Sequence, residues 1–75
     1  MDQLLGILKN IRGDVDFINE KALVDKRVLD SFDIISIVGE INTAFGVRID
    51  VVDLTPANFN SLESISALVN RLMEE

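Results

Sequence analysis

Apolar residues recur at helical spacing in three separate stretches of this 75-residue chain, and that pattern points to a helical fold. In the first stretch, Asp2 to Arg12, Leu4, Leu5, Ile7, Leu8 and Ile11 share one face. Asp2 at its start and Lys9 and Arg12 at its end suit the helix dipole, and Gly13 reads as its stop. In the second, Ser31 to Phe45, a stripe of Ile34, Val38, Ile41 and Phe45 is flanked by Ile37 and Ala44, and Gly46 follows. The third, Ser61 to Met73, presents Leu62, Ile65, Leu68, Val69, Leu72 and Met73, with Asn60 or Ser61 as cap and fraying expected at Glu74 and Glu75. Thr55-Pro56 reads as a cap and first residue of a short helix, Pro56 to Phe59. The expected fold is all-α, a small antiparallel bundle of three main helices plus one short helix, in a single domain spanning residues 1–75.

The connecting segments follow no such period. From Asp14 to Leu29, apolar side chains alternate irregularly with charges, which predicts a long ordered loop with a helical turn around Asn19–Leu23. Val47 to Val52 alternates like a strand but has no candidate partner, so it is expected to be an extended connector laid against the helices.

Composition then removes whole classes of function. There is no cysteine for a disulfide, thiolate metal site or nucleophile, and no histidine for a ligand or a base. Tryptophan and tyrosine are absent, and a net charge of −6 repels phosphate backbones and anionic lipid headgroups. No apolar run approaches the roughly 20 residues that span a bilayer. The expectation is a soluble, acidic, cytoplasmic protein with no nucleic-acid partner and no membrane insertion, docking on basic protein surfaces.

The informative segment is Leu29-Asp30-Ser31-Phe32-Asp33. It places a serine in the first turn of a helix, after a long loop, with a carboxylate on each side. As a nucleophile that serine lacks a base, which argues against a small hydrolase. As an acceptor of a phosphate ester it is well placed, at the positive end of the helix. The bland alternative is that serine and aspartate simply cap the helix, with Asp30 as N-cap and Asp33 reaching back. Helix geometry turns Phe32 outward and sets Ile35 at the border of core and surface, which marks a contact face. Ser36, Gly39, Asn42 and Thr43 share the exposed side, and Asp33 and Glu40 are its acidic docking candidates. Lys26-Arg27 is a solvated basic pair, or else a contact to a phosphate on Ser31 or to a nearby aspartate. Phe45, Phe59 and Met73 read as packing.

The whole pattern resembles the bacterial acyl carrier protein family, from about Leu4 to Leu72. Asp30-Ser31-Phe32 resembles that family's Asp-Ser-Leu at the start of its second helix, and Phe45-Gly46-Val47 follows 14 residues after the serine. The resemblance implies an acyl-carrier-like bundle that is not an enzyme. It implies that Ser31, preceded by Asp30, carries 4′-phosphopantetheine and holds an acyl or aminoacyl cargo on the arm's thiol as a thioester. It also implies a phosphopantetheinyl transferase, an acyl- or aminoacyl-loading ligase and a downstream acyltransferase or synthase as partners. These would dock through Phe32, Asp33, Ile35, Ser36, Gly39 and Glu40 on a monomer.

Two departures narrow the resemblance. The exposed side of the second helix lacks the glutamate row usual in fatty-acid carriers. Phe32, together with Asp53-Leu54-Thr55-Pro56-Ala57-Asn58-Phe59, is more similar to the D-alanyl and other aminoacyl carriers. Ile34, Val38, Leu62 and Leu68 are the candidate residues to line an acyl cavity. The alternative from another class is a non-covalent helical adaptor that docks partners through the exposed face of the second helix.

Overall fold

The computed structural model describes residues 2–74. Four α-helices make up the fold: α1 (Asp2–Ile11), α2 (Ser31–Phe45), α3 (Pro56–Phe59) and α4 (Leu62–Met73). A single 3₁₀ turn, Val51–Asp53, precedes α3, and no strand occurs among the described residues. The all-helical bundle expected from the apolar stripes is the one found.

Each helix ends where its local chemistry stops it. Gly46 closes α2 with φ of 64°, the left-handed conformation that glycine adopts without cost. Gly13 does not play this role for α1, since Gly46 is the left-handed glycine among the described residues. Instead the Arg12 N–H completes the last helical turn onto Leu8 and the Val15 N–H turns back onto the Arg12 carbonyl. Thr55 accepts the Asn58 N–H ahead of Pro56, and Ser61 accepts the Ser64 N–H at the start of α4. Of the two candidates for that last cap, Ser61 is the one used. Of the residues expected to fray, Glu74 closes α4 with its N–H shared among the last carbonyls, and Glu75 lies outside the described residues.

The core draws on every part of the chain. Leu4 and Leu8 of α1, Ile37 and Ile41 of α2, and Leu62, Ile65, Leu68 and Val69 of α4 are buried. The long loop adds Val15, Phe17, Leu23 and Leu29, of which Phe17 and Leu23 are wholly enclosed. A Phe→Ala change at such a site costs about 3–5 kcal/mol, so the loop is a structural member and not a tether. Its helical turns fall at Asp16–Glu20 and Ala22–Lys26, overlapping the two ends of the expected Asn19–Leu23. Asn60 fastens the second of them. Its Oδ1 accepts the Val24 and Asp25 N–H groups, its carbonyl accepts the Leu23 N–H, and its Nδ2 donates to Asp25.

Three expected placements need correction. On α2 the fully buried positions are Ile37 and Ile41, while Ile34, Val38 and Phe45 are only partly covered and Ala44 is exposed. The seam is therefore turned toward Ile37, because Ile34 borders an open cleft. Asn42 is not on the free surface but half-buried, where its Oδ1 accepts the Ile49 N–H at 2.9 Å and holds the connector against α2. Met73 is exposed at the end of α4, where the fold supplies no neighbour to cover it.

Candidate functional site at the start of the second helix

The start of α2 is held by a reciprocal pair of carboxylates. Asp30 Oδ1 accepts the Asp33 N–H at 2.9 Å, and Asp33 Oδ2 accepts the Asp30 N–H at 3.2 Å. Two otherwise unpaired helix donors are thus satisfied by aspartates three residues apart. Because Asp30 is the cap, Ser31 occupies the first helical position with no capping duty. It is exposed, and its hydroxyl enters no hydrogen bond among the described residues.

Arg12 braces this start from the end of α1. Its Nη1 donates to Asp33 Oδ2 at 2.6 Å and to the Val28 carbonyl at 3.2 Å, and its Nε and Nη2 grip the Asp14 carboxylate at 3.0 Å each. Two carboxylates on one guanidinium, Asp14 foremost and then Asp33, push the Arg12 pKa upward. Arg12 in turn holds the Asp14 carboxyl below its ordinary value. The Asp33 side chain is only 13% exposed. Its expected reach back to the cap is found, but it is not free as a docking charge, because it is turned inward and bonded to Arg12 as well.

The other expected contact residues do face outward. Phe32 is 81% exposed and Ile35 66%, and Ser36, Gly39 and Glu40 are exposed on the same helix. Glu40 is thereby left as the acidic residue on the exposed side of α2.

Beside Ser31 lies an open cleft of about 570 Å³, lined by Val24, Arg27, Leu29, Asp30, Ser31, Ile34, Ile35 and Leu54. A smaller recess of about 80 Å³ shares Val24, Ile34 and Leu54 with it and is lined further by Thr55, Pro56 and Phe59. Of the residues expected to line a cavity, only Ile34 does so; Leu62 and Leu68 are buried in the core, and Val38 packs against it. Sequence reasoning missed Val24, Leu29 and Leu54 as cleft walls. Leu54 carried a legible signal, as an apolar residue just before the Thr55-Pro56 cap that belongs to no helical stripe. Val51 is exposed as well, although the alternation set it on one side with Val47 and Ile49.

The arrangement presents an unengaged hydroxyl at the positive end of a long helix, beside an apolar cleft. A phosphate ester fits there, with solvent access to the oxygen and room for a chain leading away from it. No helix of the described residues is long and apolar enough to cross a membrane. A family model described as the phosphopantetheine attachment site matches residues 28–72, which is more than half of the chain and includes this whole helix start. No curated protein and no solved structure matches.

Proposed function

The chain belongs to the phosphopantetheine-attachment family, and from that premise we propose that Ser31 is the residue that bears the arm. Proteins of this family are carriers and not enzymes, and they hold 4′-phosphopantetheine covalently on a serine. The observation that carries the assignment to Ser31 is its hydroxyl, exposed and free of hydrogen bonds because Asp30 does the capping.

The arm supplies a thiol on which cargo is held as a thioester. The chain's own residues do the rest. Ser31 Oγ yields its proton to the transferase and forms the new bond to phosphorus, and the nucleotide portion of coenzyme A leaves. Asp30 and Asp33 fix the first turn of α2, so the hydroxyl is presented in one orientation. The positive end of the helix favours the added negative charge. Phe32 and Ile35, with Ser36, Gly39 and Glu40, form the surface on which the transferase, a loading ligase and a downstream acyltransferase or synthase dock in turn. Such encounters are brief and repeated, which suits a monomeric cytoplasmic shuttle.

The cargo we favour is an aminoacyl group, as in D-alanyl carriers. Inward commitment of Asp33 leaves Glu40 as the acid on the exposed side of α2, a sparse pattern beside that of fatty-acid carriers. A charged amino group also suits solvent better than a bundle interior.

The test is intact mass before and after incubation with coenzyme A and a broad-specificity phosphopantetheinyl transferase. A gain of one phosphopantetheine on the wild type and none on Ser31→Ala is the expected result. A gain on both would place the arm elsewhere. Transfer of labelled amino acids, against fatty acids, by an adenylating ligase then tests the cargo.

A further inference from the structure

Arg27 is the one unexplained cation at the site. It lines the cleft together with Asp30 and Ser31, and its side chain enters no hydrogen bond or ion pair among the described residues. The neighbouring cations are committed: Arg12 to Asp14 and Asp33, Lys26 to Glu20 at 3.6 Å, and Lys21 to Glu63. Arg27 also has φ of 57°, the left-handed region that residues other than glycine rarely adopt. The Ala22–Lys26 turn and the Leu29 N–H bond to Leu23 hold it there.

A phosphodiester on Ser31 brings a new negative charge next to Asp30, in a protein whose net charge is already −6. Arg12 offsets Asp33 but not Asp30. The rest of the cleft lining is apolar, formed by Val24, Leu29, Ile34, Ile35 and Leu54. The part of the arm next to its phosphate is the pantoyl unit, whose paired methyl groups are its most apolar surface. The cleft thus brings an unpaired cation and apolar side chains into one lining with the serine.

We propose that the cleft is a docking site for the base of the arm, with the Arg27 guanidinium paired to the phosphodiester and Leu54, Ile34 and Ile35 against the pantoyl methyl groups. The proposal rests on Ser31 carrying the arm. Its occupant is fixed by continuity, since Ser31 is itself part of the cleft wall, and by the complementarity of charge. The docked arm lies against the bundle between encounters, and a partner enzyme must draw it out.

The experiment uses ¹⁵N-labelled wild type, Arg27→Gln and Arg27→Lys, each as apo protein and as holo protein whose loading is verified by intact mass. On loading, the wild type is expected to show amide shifts at Val24, Arg27 and Leu54 as well as at residues 30–33. In Arg27→Gln the shifts at Val24 and Leu54 fall about threefold, the scale of one exposed charge pair, while Arg27→Lys keeps most of them. Added salt reduces them in the wild type and not in Arg27→Gln. Loaded wild type with shifts confined to residues 30–33, or Arg27→Gln with unchanged shifts at Val24 and Leu54, overturns the docking proposal and leaves the assignment of Ser31 intact. A wild type that gains no mass overturns that assignment, and the docking proposal with it. The apo spectra show directly whether each variant is folded.

Discussion

Two serines stand at the starts of two helices, and their hydroxyls are put to opposite uses. Ser61 is the cap of α4. Its Oγ accepts the Ser64 N–H at 3.0 Å and donates to Ser64 Oγ at 2.9 Å, and the residue is 7% exposed. Ser31 lies one residue further into α2, where Asp30 has taken the capping role, and its hydroxyl is left in solvent. A shift of one position relative to the cap decides whether a hydroxyl serves the fold or is available to a partner enzyme. The residue type alone does not separate the two; its neighbour does.

The sharpest way to break this comparison is Ser31→Ala. It should abolish phosphopantetheine loading while leaving the urea midpoint within experimental error, because no hydrogen bond is lost. A clear loss of stability would mean that Ser31 is a cap after all. Ser61→Ala should do the reverse, costing about 1 kcal/mol in equilibrium unfolding and loading normally. Asp30→Ala falls between the two. It removes the cap of α2, costs about 1 kcal/mol, and slows loading because the serine is no longer held in one orientation; the rate of mass gain reads this.

The smallest effect is on pH dependence. Asp14, held by Arg12, Asp16, held by Asn19, and Glu63, held by Lys21, all lie below their ordinary carboxyl pKa values. A lowered folded-state pKa means stability that is fully present above the unfolded value and lost as pH falls through the folded one. The urea midpoint should therefore decline below about pH 4. In Glu63→Gln the decline should be shallower, and no change in its slope would show that the Lys21 pair contributes nothing.

What was legible in the sequence is what is encoded within one or two helical turns. The Asp30–Asp33 pair, the Thr55-Pro56 start, the Gly46 stop and the outward Phe32 all follow from spacings of one to four residues. Local spacing marked Ser31 only as a residue of a capped helix start; its proposed role as the attachment serine came from the family resemblance. Bonds that join distant segments were not. Arg12 meets Asp33 across 21 residues, and Asn60 meets Val24 across 36. Nothing in local periodicity marks either pair, so Asp33 was given its cap but not its bond to Arg12, and Asn60 was read as a rival cap. The turn of the α2 seam toward Ile37 was hidden too, since a broad apolar face does not say which edge its neighbours will cover. Val51–Asp53 was missed through its alternation, although Asp50-x-x-Asp53 repeats the Asp30-x-x-Asp33 spacing and caps a 3₁₀ turn in the same way.

Asn60 also sets an order of events during synthesis. Three backbone N–H groups of the loop, at Leu23, Val24 and Asp25, find their acceptors on this one residue of the C-terminal half. A chain emerging from the ribosome has no partner for them until residue 60 is outside the exit tunnel, and closing so long a loop is among the slower steps available to a helical protein. The wall that carries Val24 and Arg27 is therefore expected to be assembled after the start of α2, once Asn60 is in place. A newly made chain would offer its serine before it can offer the cleft beside it.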